Sequence, residues 1–446
     1  MPAEKMRLPS EQILRPFQEF VKLESFGSIV LFACTMASLI WANSPWASTY
    51  FDLWKIKINF SFGDFALSKS LHYWINEGLM AIFFFVVGLE IKRELWAGEL
   101  ASVKRAALPI AAALGGMIAP ALIFTSLNWG SENIAGWGIP MATDIAFALG
   151  VMALLGNRIP LALKIFLTAL AIVDDLGAVL VIALFYTTQL AWAYVGLAAM
   201  AMAALLVANF LGLRHLLIYA ILGICLWLAL LESGLHATIA GVLVAISIPV
   251  RSRIDVRAFS QKSARALKEF KSASAVTKTV LLDEDEQAAL NALRSLCKEV
   301  AAPLQRLEHA LHPWVIYLIL PLFALSNAGV KLDQNILIAL AHPVSLGVIC
   351  GLVIGKPLGI TLFSWGAVKL GIAALPEGVS WAQIHGAGWL GGIGFTMALF
   401  IGTLAFGEGA LLSVAKTGIL MASLLAGIIG LVLLRWSSPV FPTKRA

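Results

Sequence analysis

The stretch LTALAIVDDLGAVLVIAL, residues 167–184, decides the class of this protein. A helix needs about 20 mainly apolar residues to cross a lipid bilayer, and this stretch supplies them while carrying Asp174 and Asp175 near its middle. A charge at the centre of a membrane helix costs about 2.5–3.5 kcal/mol even on a lenient scale, so an ionisable residue there indicates a functional site. The stretch therefore predicts a membrane protein with a charged site inside the bilayer.

The composition of the whole chain agrees with a membrane protein. Of its 446 residues, 60% are hydrophobic and 13% are charged, whereas soluble domains carry about 25% charged residues. The net charge of +6 does not indicate nucleic acid as a partner, because the positive residues sort by membrane side. The four cysteines are far apart, which excludes a zinc motif and a disulfide framework. We expect no cofactor.

Apolar runs of membrane-spanning length predict about twelve transmembrane helices, and eleven are possible because the runs that meet around 210–214 and 231–234 are closely spaced. The runs are 26–43, 71–91, 106–127, 134–155, 161–187, 191–210, 214–231, 234–250, 313–330, 344–368, 385–405 and 410–435. With both termini in the cytoplasm, 26 of the 32 lysine and arginine residues fall inside, as the positive-inside rule requires. The prediction is an all-α, polytopic membrane protein with a cytoplasmic N-terminal segment, 1–25, and a cytoplasmic tail, 436–446.

Two segments are predicted to lie outside the membrane. Residues 26–250 contain the first eight predicted helices, and residues 54–69 lie between the first two of them. Apolar and polar residues alternate there around Gly63 and Asp64, which predicts an external β-hairpin. A lone hairpin is marginal in water, so we expect it to pair, for example with its copy in a second subunit.

Residues 251–312 precede the last four helices, 313–435, and read as a cytoplasmic loop with one amphipathic helix from residue 284. A solvated connector is favoured there over a regulatory domain.

The two adjacent acids can serve a hard cation and protons alike. Neighbouring residues on a helix point about 100° apart, so Asp174 and Asp175 can flank one cavity. Carboxylate oxygens are ligands for hard cations, and two close carboxylates titrate as a coupled unit. This pattern favours a site where a cation and protons compete. The alternative is a structural ion pair, but two adjacent acids would need two partners.

Three more polar residues lie in predicted spans. Thr143 and Asp144 lie in the fourth run, and Lys356 lies in the tenth, where Pro357 should distort the helix. A buried lysine needs a carboxylate partner, which Asp174 or Asp144 would supply. The alternative for Asp144 and Lys356 is that they neutralise charge without contacting substrate.

Glycines interrupt the eleventh run. Within HGAGWLGGIGFTMALF, residues 385–400, Gly391, Gly392 and Gly394 permit unwinding of the helix. Unwound backbone at membrane depth is tolerated only when buried in protein or lining a cavity. Together with Thr143 and Asp144, it predicts a transport site built from two interrupted helices. The alternative is that the small residues only let helices pack closely.

Charged and histidine residues gather at the cytoplasmic edge. One group, Glu90, Arg93 and Glu94, follows the second run with helical spacing. The other group, Glu308, His309 and His312, precedes the ninth run. Because histidine changes charge between about pH 5 and 8, they suit a pH sensor, although ordinary interfacial salt bridges are favoured on the residues alone. His236, at the outer start of the eighth run, reads alone as a satisfied interfacial histidine.

Several motifs carry a family resemblance. They are GLEIKREL (88–95), ATDIAFALG (142–150), ALAIVDDLGA (169–178), SGLHATIAG (233–241), LEHALHPW (307–314), IGKPLGI (354–360) and GGIGFTM (391–397). Together they resemble the bacterial NhaA-type sodium/proton antiporters, from about residue 20 to 435 except for 251–302.

The resemblance implies a fold and a site. The helices would form inverted repeats, with the fourth and eleventh interrupted and crossing at mid-membrane. Asp174 and Asp175 would carry the ion and protons, Asp144 and Lys356 would offset the helix ends at the crossing, and Lys356 would pair with Asp174 when no ion is bound. The remaining implied residues are Thr143 and Thr396 at the site, Glu90, Arg93, Glu308, His309 and His312 in the pH response, and His236 on the outer side.

The resemblance also implies a function and a setting. The chain would export Na+ or Li+ in exchange for H+, electrogenically and by alternating access, and would serve pH and sodium homeostasis. It would lie in the bacterial inner membrane as a homodimer joined by the external hairpin. Three departures accompany it: the long segment 251–302, Gln305 in place of a lysine, and Glu77 in place of an aspartate.

Two rival functions stay open at this point. A cation channel would line its pore with rings of acids or carbonyls and would not need a buried lysine. An intramembrane aspartyl protease would need two acids on different helices, whereas the strongest pair here is adjacent on one. We expect a transporter and not an enzyme.

Overall fold

The computed structural model describes residues 9–62, 65–187, 190–252, 254–274, 283–332 and 335–438. The predicted hairpin turn at Gly63 and Asp64, and parts of the two predicted cytoplasmic ends, lie outside these ranges. The described chain is almost entirely helical, with one pair of strands.

The helices are numbered in chain order. They are α1 (Pro9–Ala42), α2 (Ala47–Lys55), α3 (Leu71–Ala97), α4 (Val103–Leu127), α5 (Ile145–Ala153), α6 (Leu161–Phe185), α7 (Trp192–Phe210), α8 (Leu216–Ser233), α9 (Ile239–Ser247), α10 (Val256–Ser274), α11 (Glu284–Val300), α12 (Pro303–Asn327), α13 (Ile336–Ala341), α14 (Pro343–Lys369), α15 (Trp381–Gly391), α16 (Phe395–Phe406) and α17 (Ala410–Ser437). Segments of 3-10 helix are Glu99–Ala101, Glu132–Met141 and Gly156–Arg158, and π-helical stretches within α3, α12 and α14 are Trp74–Leu79, Val315–Ile319 and Gly351–Gly355.

Among the described residues, eight helices are long and apolar enough to cross a membrane, or up to eleven spans if each bent pair counts as one. These eleven correspond to eleven of the twelve predicted runs. The exception is 234–250, where only the nine-residue helix α9 forms. Helix α9 is short because the chain turns between α8 and α9, where Gly234 adopts a φ of +84°. At its other end, Pro249 follows the helix. The predicted polytopic all-α fold is confirmed.

The two predicted interruptions are present and cross each other. Glu132–Met141 and α5 meet at 42°, and α15 and α16 meet at 46°. The first piece of each broken span packs against the second piece of the other, Glu132–Met141 against α16 and α15 against α5. At the crossing, the Asp144 backbone N–H donates to the Ile393 carbonyl at 2.7 Å. The two breaks are therefore joined directly by backbone.

Close helix packing places Lys356 beside the crossing. Helix α14 lies against α4, where Gly115 and Gly359 bring the two backbones together. A Cβ on Gly359 would clash with the Gly115 carbonyl oxygen, so a side chain at either position would separate the helices. Outward faces of the bundle expose large apolar residues such as Phe210 and Leu184, as lipid contact requires.

The elements outside the spans differ from the expectation in one respect. Strands β1 (Lys57–Phe62) and β2 (Phe65–Ser70) pair antiparallel, from Lys57 opposite Ser70 to Phe62 opposite Phe65, which confirms the hairpin. The cytoplasmic loop, however, holds two packed helices, α10 and α11, where the sequence pattern predicted one. Helix α10 has few apolar residues on its packed side, Phe259, Ala266 and Phe270, among many charged ones. The apolar stripe in its sequence is therefore narrow.

Candidate functional site

The predicted acids lie at the middle of α6. Asp174 and Asp175 follow an unbroken apolar stretch, ALAIV, that helix α6 keeps buried. Their side chains are 1% and 3% exposed. Because burial of an unpaired charge is strongly unfavourable, the partners of each carboxylate decide what this site can do.

Lys356 is the partner of Asp174. The Lys356 ammonium donates to Asp174 Oδ2 at 2.5 Å and to the Met141 carbonyl oxygen. Lys356 is fully buried, so no water competes for its charge. Of the two carboxylates that the sequence offered as its partner, the structure selects Asp174.

Thr143 joins the same carboxylate to the second broken span. Its hydroxyl lies 2.6 Å from Asp174 Oδ2 and 2.8 Å from the Gly391 carbonyl oxygen. One hydroxyl proton serves one acceptor at a time, so Thr143 can switch between the carboxylate and the backbone of the break. The carbonyl oxygens of Met141 and Gly391 are groups that the sequence analysis missed, since backbone atoms leave no residue-type signal.

Each of the two adjacent acids has one unpartnered oxygen. The Oδ1 atoms of Asp174 and Asp175 are both buried without a hydrogen-bond partner among the described residues, whereas Asp174 Oδ2 accepts from Lys356 and Thr143. Buried polar atoms normally have partners. Two adjacent carboxylates that each leave an oxygen free can accept a cation or a proton at those oxygens.

Asp144 caps helix α5 at the crossing. Its Oδ1 accepts from the Phe147 backbone N–H at 3.0 Å, and its Oδ2 accepts from the Thr396 backbone N–H at 3.0 Å and from the Thr396 hydroxyl. The side chain thus satisfies donors at the N-termini of both α5 and α16, where a negative charge is favourable. Within the described chain, Asp144 forms no hydrogen bond or ion pair with Lys356, and it holds the two breaks together.

The glycines of the eleventh run serve both predicted purposes. The helix ends at Gly391, and the chain is irregular through Gly394 before α16 begins. Gly392 also lies against α14, because a Cβ there would sit 2.5 Å from the Leu352 carbonyl oxygen. Gly388, one turn earlier, lies against Pro357. Unwinding and close packing therefore occur together.

The cytoplasmic-edge residues form two ion pairs between α3 and α12. Arg93 pairs with Glu308 and, at 3.0 Å, with Glu94, while His312 Nδ1 lies 3.1 Å from Glu90 Oε1. Glu90 and Glu308 are buried. His309 is not part of this cluster, since its Nδ1 contacts the Gln305 carbonyl oxygen at 2.8 Å and its side chain is exposed.

His236 connects the outer ends of two spans. Its Nε2 lies 2.8 Å from the Tyr186 carbonyl oxygen. The Tyr186 hydroxyl in turn donates to the Ala135 carbonyl and accepts from the Gly138 N–H, both in the first broken span. The sequence analysis missed Tyr186, because an interfacial tyrosine is common at membrane edges.

Among the described residues, no group of three or more His, Cys, Asp or Glu side chains could hold a metal ion. The Asp174–Asp175 pair thus offers few protein charges to a cation. Such a site suits an ion that must bind and leave, in contrast to a permanently coordinated one.

Comparison with known proteins agrees with this geometry. The family model described as Na+/H+ antiporter 1 matches residues 18–434. The chain is 52% identical over 427 residues to a Na+/H+ antiporter NhaA of Oleidesulfovibrio alaskensis, covering 96% of this chain and 95% of that one. It is 51% identical over 425 residues to an NhaA 2 of Syntrophotalea carbinolica, covering 95% and 97%, and 50% identical over 427 residues to an NhaA of Koribacter versatilis, covering 96% and 92%. The chain therefore belongs to the Na+/H+ antiporter 1 family.

Proposed function

We propose that this protein is a Na+/H+ antiporter that works at the Asp174–Asp175 pair. Full-length relatives at about half identity carry that name. The observation that carries the assignment to this site is the buried contact between Lys356 and Asp174, beside an Asp175 with an unpartnered oxygen. Li+ is the second cation that we expect the site to accept, because it is also a small hard ion.

The structure supports a resting state without a bound ion. In that state Lys356 supplies the positive charge that Asp174 needs, and Asp175 holds a proton, because a buried carboxylate without partners is costly when charged. Thr143 donates to Asp174 or to the Gly391 carbonyl. The site is then close to neutral without sodium.

Sodium would replace these partners. A cation that binds both carboxylates displaces the proton of Asp175 and takes the place of the Lys356 ammonium at Asp174. Protons arriving from the other side of the membrane reverse the exchange. Coupling is competition for one site, so the cycle needs no ATP. The Lys356 ammonium, which loses its Asp174 partner to sodium, releases a second proton, so two protons leave for each sodium ion and the exchange is electrogenic.

The crossing supplies the moving part. Asp144 and Thr396 join the two broken spans, and Thr143 bridges from one break to the other through Gly391. A binding event at Asp174 thus acts on both breaks at once. We propose that this contact lets the site open alternately to the two membrane faces.

The cytoplasmic ion pairs are proposed to set the pH response. His312 with Glu90, and Arg93 with Glu308, join α3 to α12 at the inner edge. Protonation of His312 strengthens its attraction to Glu90, so acid conditions would hold the two helices together. His309 lies outside the two ion pairs and contacts the Gln305 carbonyl, but its charge acts on the Glu308 carboxylate, which supports the part that the resemblance implied for it. For His236, its contact with Tyr186 supports a role in holding the outer edge.

The membrane setting is supported by the bacterial relatives and by the distribution of lysine and arginine residues along the chain, with the short helix α9 and the residues before it completing a twelfth crossing. We propose that the protein lies in the bacterial inner membrane with both termini in the cytoplasm. A homodimer joined through the β1–β2 hairpin is supported by the isolation of these two strands, which form a sheet of their own. Two-stranded sheets are marginal alone, and a second copy would extend this one. Replacing Asn59 with proline would remove a strand N–H and should weaken such a dimer on native gels.

The channel and the protease are not supported. The acids of the strongest pair lie on one helix and point into separate surroundings, which does not suit two acids that activate one water. A buried lysine bonded to an acid at the site does not suit an open cation pore.

Transport by the intact chain in everted membrane vesicles, prepared from cells without other sodium/proton antiporters, tests the proposal. Addition of Na+ or Li+ to acidified vesicles should release protons and dissipate the pH gradient, and K+ should not. Clamping the membrane potential to zero with valinomycin and K+ should change the rate, since the exchange is electrogenic. A sodium flux that continues without proton movement would favour the channel.

A further inference from the structure

The loop between the membrane helices α9 and α12 is a closed unit whose ends meet. The Leu304 backbone N–H donates to the Pro249 carbonyl oxygen at 3.3 Å, so the chain leaves the bundle and returns at one place. Between these ends, α10 and α11 pack against each other. Ala266 and Ala289 are buried in their seam, at 4% and 5% exposed. The helical hairpin α10–α11 therefore has an internal apolar seam, while Leu267 of α10 stays 47% exposed.

Helix α10 carries its positive charges away from that seam. At 100° for each residue, Phe259, Ala266 and Phe270 share one side of α10. Four of the five cations occupy the opposite half of its circumference, and Lys262 lies at the border of the seam. These cations are exposed: Arg257, Lys262, Arg265, Lys268 and Lys271. Within α10 the only acid is Glu269. None of the five makes an ion pair with a described residue.

Helix α11 carries the opposite charge. Its capping residue Asp283 and its first turn, Glu284, Asp285 and Glu286, are acidic. The hairpin thus carries its positive charges along α10 and its acids at the start of α11, with Arg294 as an exposed cation further along α11. A polarised unit beside a charged plane turns its basic side towards negative charge and its acidic side away.

A short tether keeps this unit next to a membrane helix, because α9 ends at Ser247 and α10 begins at Val256. Asp255 caps α10 directly after the bundle is left, with its Oδ1 accepting from the Ala258 N–H at 2.6 Å. The cytoplasmic leaflet of a bacterial membrane contains anionic lipids, which attract clusters of Lys and Arg next to a membrane helix. We propose that the basic face of α10 docks on the anionic headgroups of the inner leaflet.

Docking of α10 on lipid would influence the cytoplasmic ion pairs through the backbone that connects the hairpin to α12. Leu304 is in the first turn of α12, and Glu308 and His312 follow on the same helix. A hairpin held on the membrane fixes the start of this helix through the Pro249–Leu304 hydrogen bond. The lipid composition of the inner leaflet thereby becomes an input to the proposed pH response.

The test measures the distance of the hairpin from lipid in the full-length protein. One preparation carries a dye on α10 at Ser260→Cys, with the four native cysteines replaced by serine. A second carries it on α11 at the exposed native Cys297, with the other three cysteines, including the exposed Cys225, replaced by serine. Each is placed in nanodiscs of phosphatidylcholine with acceptor-labelled lipid, with or without phosphatidylglycerol. We expect energy transfer from the α10 dye to rise about twofold or more with phosphatidylglycerol, to exceed transfer from the α11 dye, and to fall in high salt.

Two matched double variants decide whether the basic face is responsible. Arg265→Gln with Lys268→Gln should abolish most of the rise. Lys104→Gln with Lys369→Gln removes the same charge from other exposed cytoplasmic positions and should leave the rise in place. Equal transfer in neutral and anionic nanodiscs, an α11 dye closer to lipid than the α10 dye, or an unchanged rise in the first variant would each overturn the proposal. The measurement involves no transport, so it stands apart from the antiport assignment.

Discussion

Lys356 Nζ lies 2.5 Å from Asp174 Oδ2, and both side chains are sealed from solvent. The two residues come from α14 and α6, 182 positions apart. The same ammonium reaches the Met141 carbonyl at the first break. The Lys356 ammonium therefore joins the candidate ion site to the interrupted span. Its removal should affect both the stability of the protein and the binding of the transported ion.

Replacing Lys356 with methionine should destabilise the protein. The change keeps the length of the side chain but leaves Asp174 as a buried charge without its partner, which costs about 3–5 kcal/mol. Thermal unfolding in detergent measures the loss. Because Asp174→Asn removes that lone charge, the double variant should be more stable than Lys356→Met alone. A double variant whose losses simply add would show that the two side chains do not interact.

Replacing Gly392 with alanine should disturb the second break. A Cβ there would meet the Leu352 carbonyl oxygen at 2.5 Å, and overpacking of this kind costs about 1–3 kcal/mol. Gly366→Ala on α14 is the control, since its Cβ would meet nothing within 4 Å. We expect a lower unfolding temperature and slower antiport for Gly392→Ala only. Similar behaviour of the two variants would mean that the close approach at the break is unimportant.

Replacing Thr396 with valine should loosen the crossing. The variant loses the hydroxyl bond to Asp144, and a hydrogen bond to a carboxylate contributes about 1.5–3 kcal/mol. Thr403→Val is the matched control on the same helix, because its hydroxyl donates to the Leu399 carbonyl within the helix. Unfolding temperatures of the two variants should differ clearly. If Thr403→Val is as damaging as Thr396→Val, the bridge between the breaks does not carry the effect.

Replacing His312 with glutamine should change the pH profile of antiport. Protonated His312 attracts Glu90, so this contact is strongest in acid and weakens as pH rises through the range where histidine loses its charge. Glutamine is neutral throughout and should move the acid limb of activity to lower pH by roughly half a unit to one unit. His309→Gln is the comparison and should shift the limb less, since His309 lies outside the two ion pairs and acts on Glu308 only through its charge. Equal shifts in both variants would remove His312 from the proposed pH response.

Much of this arrangement is visible in the sequence for a physical reason. Charged residues in apolar runs are energetically costly, so their positions alone indicate candidate functional residues. These residues are Asp144, Asp174, Asp175 and Lys356. The span boundaries follow from the same contrast between apolar runs and basic loops. The motifs then indicate the family, which the comparisons confirm.

Other features leave no such signal. The carbonyl groups of Met141 and Gly391 act through the backbone, which no residue type reveals. The choice of Asp174 over Asp144 as the partner of Lys356 depends on the packing of α14 against α4 and of α4 against α6, which are long-range contacts. Helix α10 was missed because its apolar seam is narrow beside its charges, and the shortness of α9 depends on where the chain turns after Gly234.

Sodium-driven proton release by the Asp175→Asn variant tests the central claim most directly. The variant removes an acid with an unpartnered oxygen and leaves the Lys356–Asp174 contact in place. Glu132→Gln is the control, an exposed acid outside the crossing. In everted vesicles with equal amounts of folded protein, the control should exchange like the unchanged chain, and Asp175→Asn should show no response to Na+ or Li+. Sodium-driven proton release that persists in Asp175→Asn would contradict the account.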